Sequence, residues 1–129
     1  MLAIDTNVLV RFLTGDDPVQ SPRARALVHS EDILILTTVL LETEWVLRSG
    51  YKYEQIELSD AFRTLIGLPR VHLQDPEAVT LALEWMRSDM DFANALHLAT
   101  ARGCTAFATF DRRLSKHAEP MTGLPARLL

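Results

Sequence analysis

At 129 residues, with 48% apolar and 23% charged side chains, the chain has the size and balance of one globular domain and too little length for two cores. A net charge of −4 argues against a general nucleic-acid-binding surface, and the single cysteine, Cys104, excludes a disulfide framework and a cysteine-rich zinc site. There is no signal-like start and no apolar run of spanning length, so a cytoplasmic location without membrane attachment is expected.

Residues 1–5 read as a short buried strand, with Leu2 and Ile4 apolar and Asp5 at the carboxyl end. Thr6 or Asn7 is placed to cap a helix over Val8, Leu9, Phe12 and Leu13. Residues 14–18 are a turn by composition, with Pro18 at or near the start of a helix that runs to about Ser30 and carries Ala24, Leu27 and Val28. The β-branched and leucine run 33–37 reads as a central strand, followed by a helix over 39–49 that Thr38 caps and Gly50 ends. Residues 54–67 read as an amphipathic helix with Ile56, Ala61, Leu65 and Ile66 on its apolar face.

Residues 71–73 make a short strand, and Pro76 opens a helix to about Ser88. Asp91 starts another helix, through Phe92, Leu96, Leu98 and Ala101, stopped by Gly103. Cys104, read as a buried small residue, precedes a strand over 105–110; residues 111–116 form a turn or short helix, and 120–129 a loop with a last edge strand. Strand and helix alternate throughout, which predicts an α/β fold with a parallel sheet and helices on both faces.

In such sheets reactive groups gather beyond the carboxyl ends of the strands, where Asp5 and Asp111 fall if their strands are parallel. Each also fits a helix cap. Glu42 has Thr38, Val39, Trp45 and Val46 at helical spacing, a mostly apolar stripe, whereas Glu44 is placed for an ordinary pair with Arg48. An inward carboxylate needs an arginine, a backbone donor or a metal. Asp91 suits an N-cap with Asn94 at the third helical position, where its carbonyl oxygen can coordinate but brings no charge. Converging carboxylates repel, and a shared divalent cation is the simplest way to stabilise them. Asp5, Glu42, Asp91 and Asp111 together equal the whole −4 excess, so a cation there leaves the remainder balanced.

Four segments carry a resemblance: Asp5-Thr6-Asn7-Val8-Leu9, the run from Thr38 to Leu47, Asp91-Phe92-Ala93-Asn94-Ala95-Leu96, and Thr109-Phe110-Asp111. In this order and spacing, from Leu2 to about Leu114, they resemble the successive signatures of a PIN domain, and most of all VapC-type toxins of prokaryotic type II toxin–antitoxin pairs. The resemblance implies one PIN domain over residues 1–129, with a three-layer α/β/α fold and a mostly parallel central sheet. It implies a Mg2+- or Mn2+-dependent ribonuclease toxin that hydrolyses RNA phosphodiesters with metal-activated water.

It further implies a homodimer, held inactive by a cognate VapB-type antitoxin in a larger assembly that meets operator DNA only through that antitoxin. The family's acids carry over to Asp5, Glu42 and Asp111 as metal ligands. Its third acid maps onto Asn94, with Asp91 as a supporting residue. Asn94 breaks the pattern, and a naturally weakened member and an engineered inactive form both fit that letter. An antitoxin groove is expected between helices 18–30 and 39–67, with Arg23, Arg25 and Arg48 as candidate contacts.

Two rival readings remain open. A phosphotransferase with aspartate after its first strand commonly has a second acid two positions on, where this chain has Asn7. A PIN fold without catalysis, acting as a binding module for an antitoxin or nucleic acid, is favoured by Asn94. DNA also stays open as a substrate, since no residue identifiably reads a 2′-hydroxyl. The four histidines lack ligand spacing, and His97 reads as a packed or surface-edge residue. Trp45 and Trp85 read as core or interface, Asp60, Asp75 and Asp89 as surface or capping residues, and Asp16 and Asp17 as turn residues.

Overall fold

Strand β1 (Leu2–Ala3) pairs in parallel with β2 (Ile33–Ile35), and β2 in parallel with β3 (Val71–Leu73), so β2 is the centre of a three-stranded sheet. The computed structural model describes residues 1–129. They divide into two units, Met1–Pro76 and Glu77–Leu129, and the sheet belongs to the first. Between its strands run α1 (Thr6–Thr14), α2 (Gln20–Ser30), α3 (Thr37–Ser49) and α4 (Gln55–Ile66).

The core of the first unit is built on β2, whose Ile33 and Ile35 are buried, together with Leu9, Leu40, Leu47, Phe62 and Leu65. The edge strand β1 is shorter than expected: Leu2 is exposed and only Ile4 is buried. Its two pairs to β2 end at Ala3, because the chain bends at Asp5 to begin α1. Gly15 closes α1 in the left-handed conformation (φ +65°), donating to the Arg11 carbonyl, a geometry that favours a residue without Cβ.

Strand β2 also ends early, since Thr37 is already helical. The residue before α3 is Leu36, which has no capping side chain; instead the Gln74 Oε1 accepts the Thr37 N–H at 3.0 Å from beyond β3. A side chain distant in sequence thus does the work expected of Thr38. Helix α4 is capped by the reciprocal Glu54–Glu57 box. It buries Leu58, Phe62 and Leu65, so of the expected apolar face Leu65 is buried, Ala61 and Ile66 are half-buried and Ile56 is exposed.

The second unit holds most of α5 (Pro76–Met86), α6 (Phe92–Thr100), β4 (Phe107–Thr109), α7 (Arg112–Thr122) and β5 (Ala126–Leu128). Strands β4 and β5 pair in parallel, with Phe107 opposite Ala126. The turn or short helix expected over 111–116 is a full helix, α7, that runs on to Thr122 and is anchored by buried Leu114 and Ala118. Gly123 at φ +78° ends it and lets the chain return as β5. Cys104 is exposed, not buried, because residues 104–106 are still loop and the strand begins only at Phe107.

Candidate metal and nucleic-acid site

The first unit places Asp5 and Glu42 on one cleft, with Thr6, Arg11 and Tyr51. Asp5 itself caps α1: its Oδ1 accepts the Val8 N–H at 3.0 Å, so neither Thr6 nor Asn7 is the cap. That releases the Thr6 hydroxyl, which donates to Glu42 Oε1. Glu42 is exposed on the cleft, and its neighbour Trp45 is 59% exposed. The inward acid of α3 is Glu44, only 2% exposed and held by Arg48 Nε at 3.0 and 3.3 Å. Of the stripe around Glu42, Thr38 and Trp45 face out and Val46 is half-buried, while Val39 joins the buried face of Leu40, Thr43 and Leu47.

Beside the two acids stands a network absent from the sequence reading. Arg11 donates to Asp16 at 3.1 Å, to the Tyr51 hydroxyl at 3.2 Å and through Nε to Gln20 at 2.9 Å. Tyr51 donates to Asp16 at 2.6 Å and Thr14 donates to it at 2.7 Å. These bonds, led by those from Tyr51 and Thr14, draw the Asp16 carboxyl from 3.8 down to about 2. The one available signal was spacing: Asn7 and Arg11 lie four apart on the helix that Asp5 opens.

The second unit gathers Asp91, Asn94 and Asp111 on one cleft, with Asp89, Arg113 and His117. Asp91 caps α6, its Oδ2 accepting the Asn94 N–H at 3.1 Å. Asp111 caps α7, its Oδ1 accepting the Leu114 N–H at 2.9 Å, while its own N–H donates to Thr109 Oγ1 at 3.0 Å. Arg113 pairs with Asp89 at 3.0 Å, and Asp89 adopts φ +70° at the bend before α6.

Within neither unit do three or more His, Cys, Asp or Glu side chains gather into a metal-holding group. The donors present are nonetheless those a hard cation takes. Asp5, Asp91 and Asp111 each commit one carboxylate oxygen to a helix N-terminus and retain a second; Glu42 is steadied by a hydroxyl; Asn94 adds an amide oxygen. Oxygen ligands of this kind, completed by water, suit magnesium and manganese.

Residues 2–120 match the PIN domain family, more than nine-tenths of the chain. None of the curated proteins matches it. PIN domains have a nuclease-type α/β/α fold and typically use divalent metals, and the seven helices and all-parallel strand pairs fit that fold. The chain belongs to the PIN domain family.

Proposed function

We propose that the chain is a Mg2+- or Mn2+-dependent endoribonuclease that serves as the toxin of a toxin–antitoxin pair. The observation that carries the reading is the treatment of the acids: Asp5, Asp91 and Asp111 are exposed caps, each with one oxygen held by a backbone N–H and the other left for a ligand. Asp5, Glu42, Asn94 and Asp111 are the proposed cation ligands, with Asp91 in support.

A divalent cation would supply water of lowered pKa and positive charge for the developing phosphorane oxygens. The chain's own residues do the rest. The N-capping bonds fix Asp5, Asp91 and Asp111 to rigid helix starts, and Thr6 holds Glu42 in one rotamer. Arg11, tied to Asp16 and Tyr51, places a cation on the cleft of Asp5 and Glu42 where a phosphodiester needs charge balance.

A VapB-type antitoxin and a second copy of the chain are the proposed partners. Exposed Val19, Trp45 and Ile56 supply apolar surface on the unit where the antitoxin groove is expected. No helix is long and apolar enough to cross a membrane. Incubating labelled RNA with the chain, with and without Mn2+, tests the activity: metal-dependent endonucleolytic products support it, and intact RNA at saturating Mn2+ opposes it.

The second reading is a binding module without turnover. It is favoured by Asn94, which brings no negative charge to its cleft. Retention of RNA or antitoxin without any cleavage, at saturating Mn2+, would select it.

A further inference from the structure

We propose that the groove between α1 and α2 carries the RNA strand beside the scissile phosphodiester, with a phosphate on Arg23 and a base on the groove floor. The inference rests on the ribonuclease reading and names the surface that brings its substrate in. An acid-lined cleft repels phosphates until a cation fills it, so a polyanion needs positive surface next to it.

The charge of the chain is unevenly spread. It holds 17 acids, yet α1 and α2, nine and eleven residues packed against each other, contain none. They contain Arg11, Arg23 and Arg25. The acids that flank α2 on its N-terminal side are engaged within the protein. Asp16 accepts from Arg11, Thr14 and Tyr51, and Asp17 Oδ1 accepts the Val19 and Gln20 N–H groups at 2.9 and 2.6 Å. A net charge of −4 thus coexists with a local positive stripe.

The groove has a volume of ≈ 400 Å³. Val8, Ala24 and Leu27 form its apolar floor, and Arg11, Gln20 and Arg23 its polar rim. Asn7 and Arg11 line this groove and also the cleft of Asp5 and Glu42, so the two hollows meet across α1. That continuity favours the substrate over an acidic peptide as the occupant.

The rim offers donors. Gln20 Oε1 accepts from Arg11 Nε at 2.9 Å and from Asn7 Nδ2 at 3.4 Å, which orients the amide and leaves its NH2 uncommitted. Arg11 spends Nη1 on Asp16 and Tyr51, while its Nη2 makes no hydrogen bond. Arg23 is exposed, with neither a hydrogen-bond nor an ion-pair partner. Phosphate oxygens only accept, and the arginine fork binds them in pairs. A splayed base then covers the apolar floor, which a bare anion leaves wet.

The test is the anisotropy of a labelled single-stranded RNA of about twelve nucleotides, titrated with the full chain in EDTA, where metal-dependent cutting stops. The native chain should bind with a Kd on the order of 10 µM at about 50 mM salt. Arg23→Ala, at an exposed site without partners, should bind about fivefold more weakly, with the log–log salt slope shallower by about 0.7. Arg23→Lys should recover most of the affinity. Arg127→Ala, the same charge change on β5, should leave both readings unaltered. With Mn2+ present, Arg23→Ala should raise KM for cleavage at nearly constant kcat.

No RNA binding by the native chain, native-like binding by Arg23→Ala, or an equal loss in Arg127→Ala would overturn the groove as an RNA site. So would displacement of the RNA by an equal concentration of polyglutamate, which would assign the groove to an acidic protein segment. Arg23-dependent binding without cleavage at saturating Mn2+ would keep the groove and remove the nuclease. Cleavage with binding indifferent to Arg23 would remove the groove alone.

Discussion

Asp91 accepts the backbone N–H of Asn94 through Oδ2 at 3.1 Å, so the two residues open α6 as its cap and its third helical position. Both line the same cleft as Asp111. An aspartate at position 94 would add negative charge beside the other two acids, at a helix N-terminus that favours it. Asn94→Asp should therefore tighten Mn2+ binding by about ten- to a hundredfold. Calorimetric titration of Mn2+ into both forms checks this, and equal affinities would remove position 94 from the ligand set.

The Thr6 hydroxyl is the only side-chain donor seen to hold Glu42. Thr6→Val keeps the branched shape and removes that bond. Glu42 then samples several rotamers, and kcat for RNA should fall by about tenfold with little change in KM. Thr6→Ser should restore most of the rate. A valine variant as active as the parent would mean that the Glu42 rotamer does not matter.

The network on Asp16 gives a stability signal in acid. Its carboxyl lies near 2 in the folded chain against an ordinary 3.8, chiefly because Tyr51 and Thr14 donate to the ionised form. A depressed folded value stabilises above the unfolded value and is lost as pH falls through the folded one. The contribution should be whole above about pH 4 and gone by about pH 2. Urea midpoints across that range should show a shallower acid loss for Asp16→Asn, and part of the same change for Tyr51→Phe. Parallel curves for all three proteins would deny the coupling.

Thr43 is fully buried in α3, and its Oγ1 has no hydrogen-bond partner. A stranded buried hydroxyl costs about 1–3 kcal/mol, while a methyl group in its place costs nothing in polarity. Thr43→Val should raise unfolding stability by about 1 kcal/mol, seen as a higher urea midpoint at unchanged m-value. A lower midpoint would mean that the hydroxyl is satisfied in solution.

Much of the topology was legible because local signals were strong. The run at Ile33, the strand 71–73, the end of α2 at Ser30 and the cap at Asp91 rest on short-range chemistry, and they appear where expected. The faces of α3 and α4 did not follow as easily. Residues 38–47 are apolar nearly all round, so two stripes compete and periodicity alone does not choose. Leu40 and Leu47 win the core, and Glu44, four after one and three before the other, is carried inward with them. Arg48, itself 48% exposed, neutralises it from the surface, so the pair expected between two surface side chains has a buried carboxylate.

The acids themselves were legible by type and by their place at helix starts. Their partners were not. Tyr51 reaches Asp16 across 35 positions, Glu42 takes its hydroxyl from Thr6 across 36, and Gln74 caps α3 across 37. Such bonds depend on how elements pack, and no window of local sequence encodes them. The length of α7 was missed for a related reason: polar residues and Pro120 mask a helix held by two buried positions, Leu114 and Ala118.

The most direct measurement is cleavage of a labelled RNA by the native chain, Asn94→Asp and Asp111→Asn across a Mn2+ titration, with EDTA as the blank. The expected result is metal-dependent cutting by the native chain, faster cutting by Asn94→Asp, and loss of about a hundredfold or more in Asp111→Asn. Intact RNA with both the native chain and Asn94→Asp at saturating Mn2+, or cutting that persists in EDTA, would contradict a divalent-cation nuclease built on these acids.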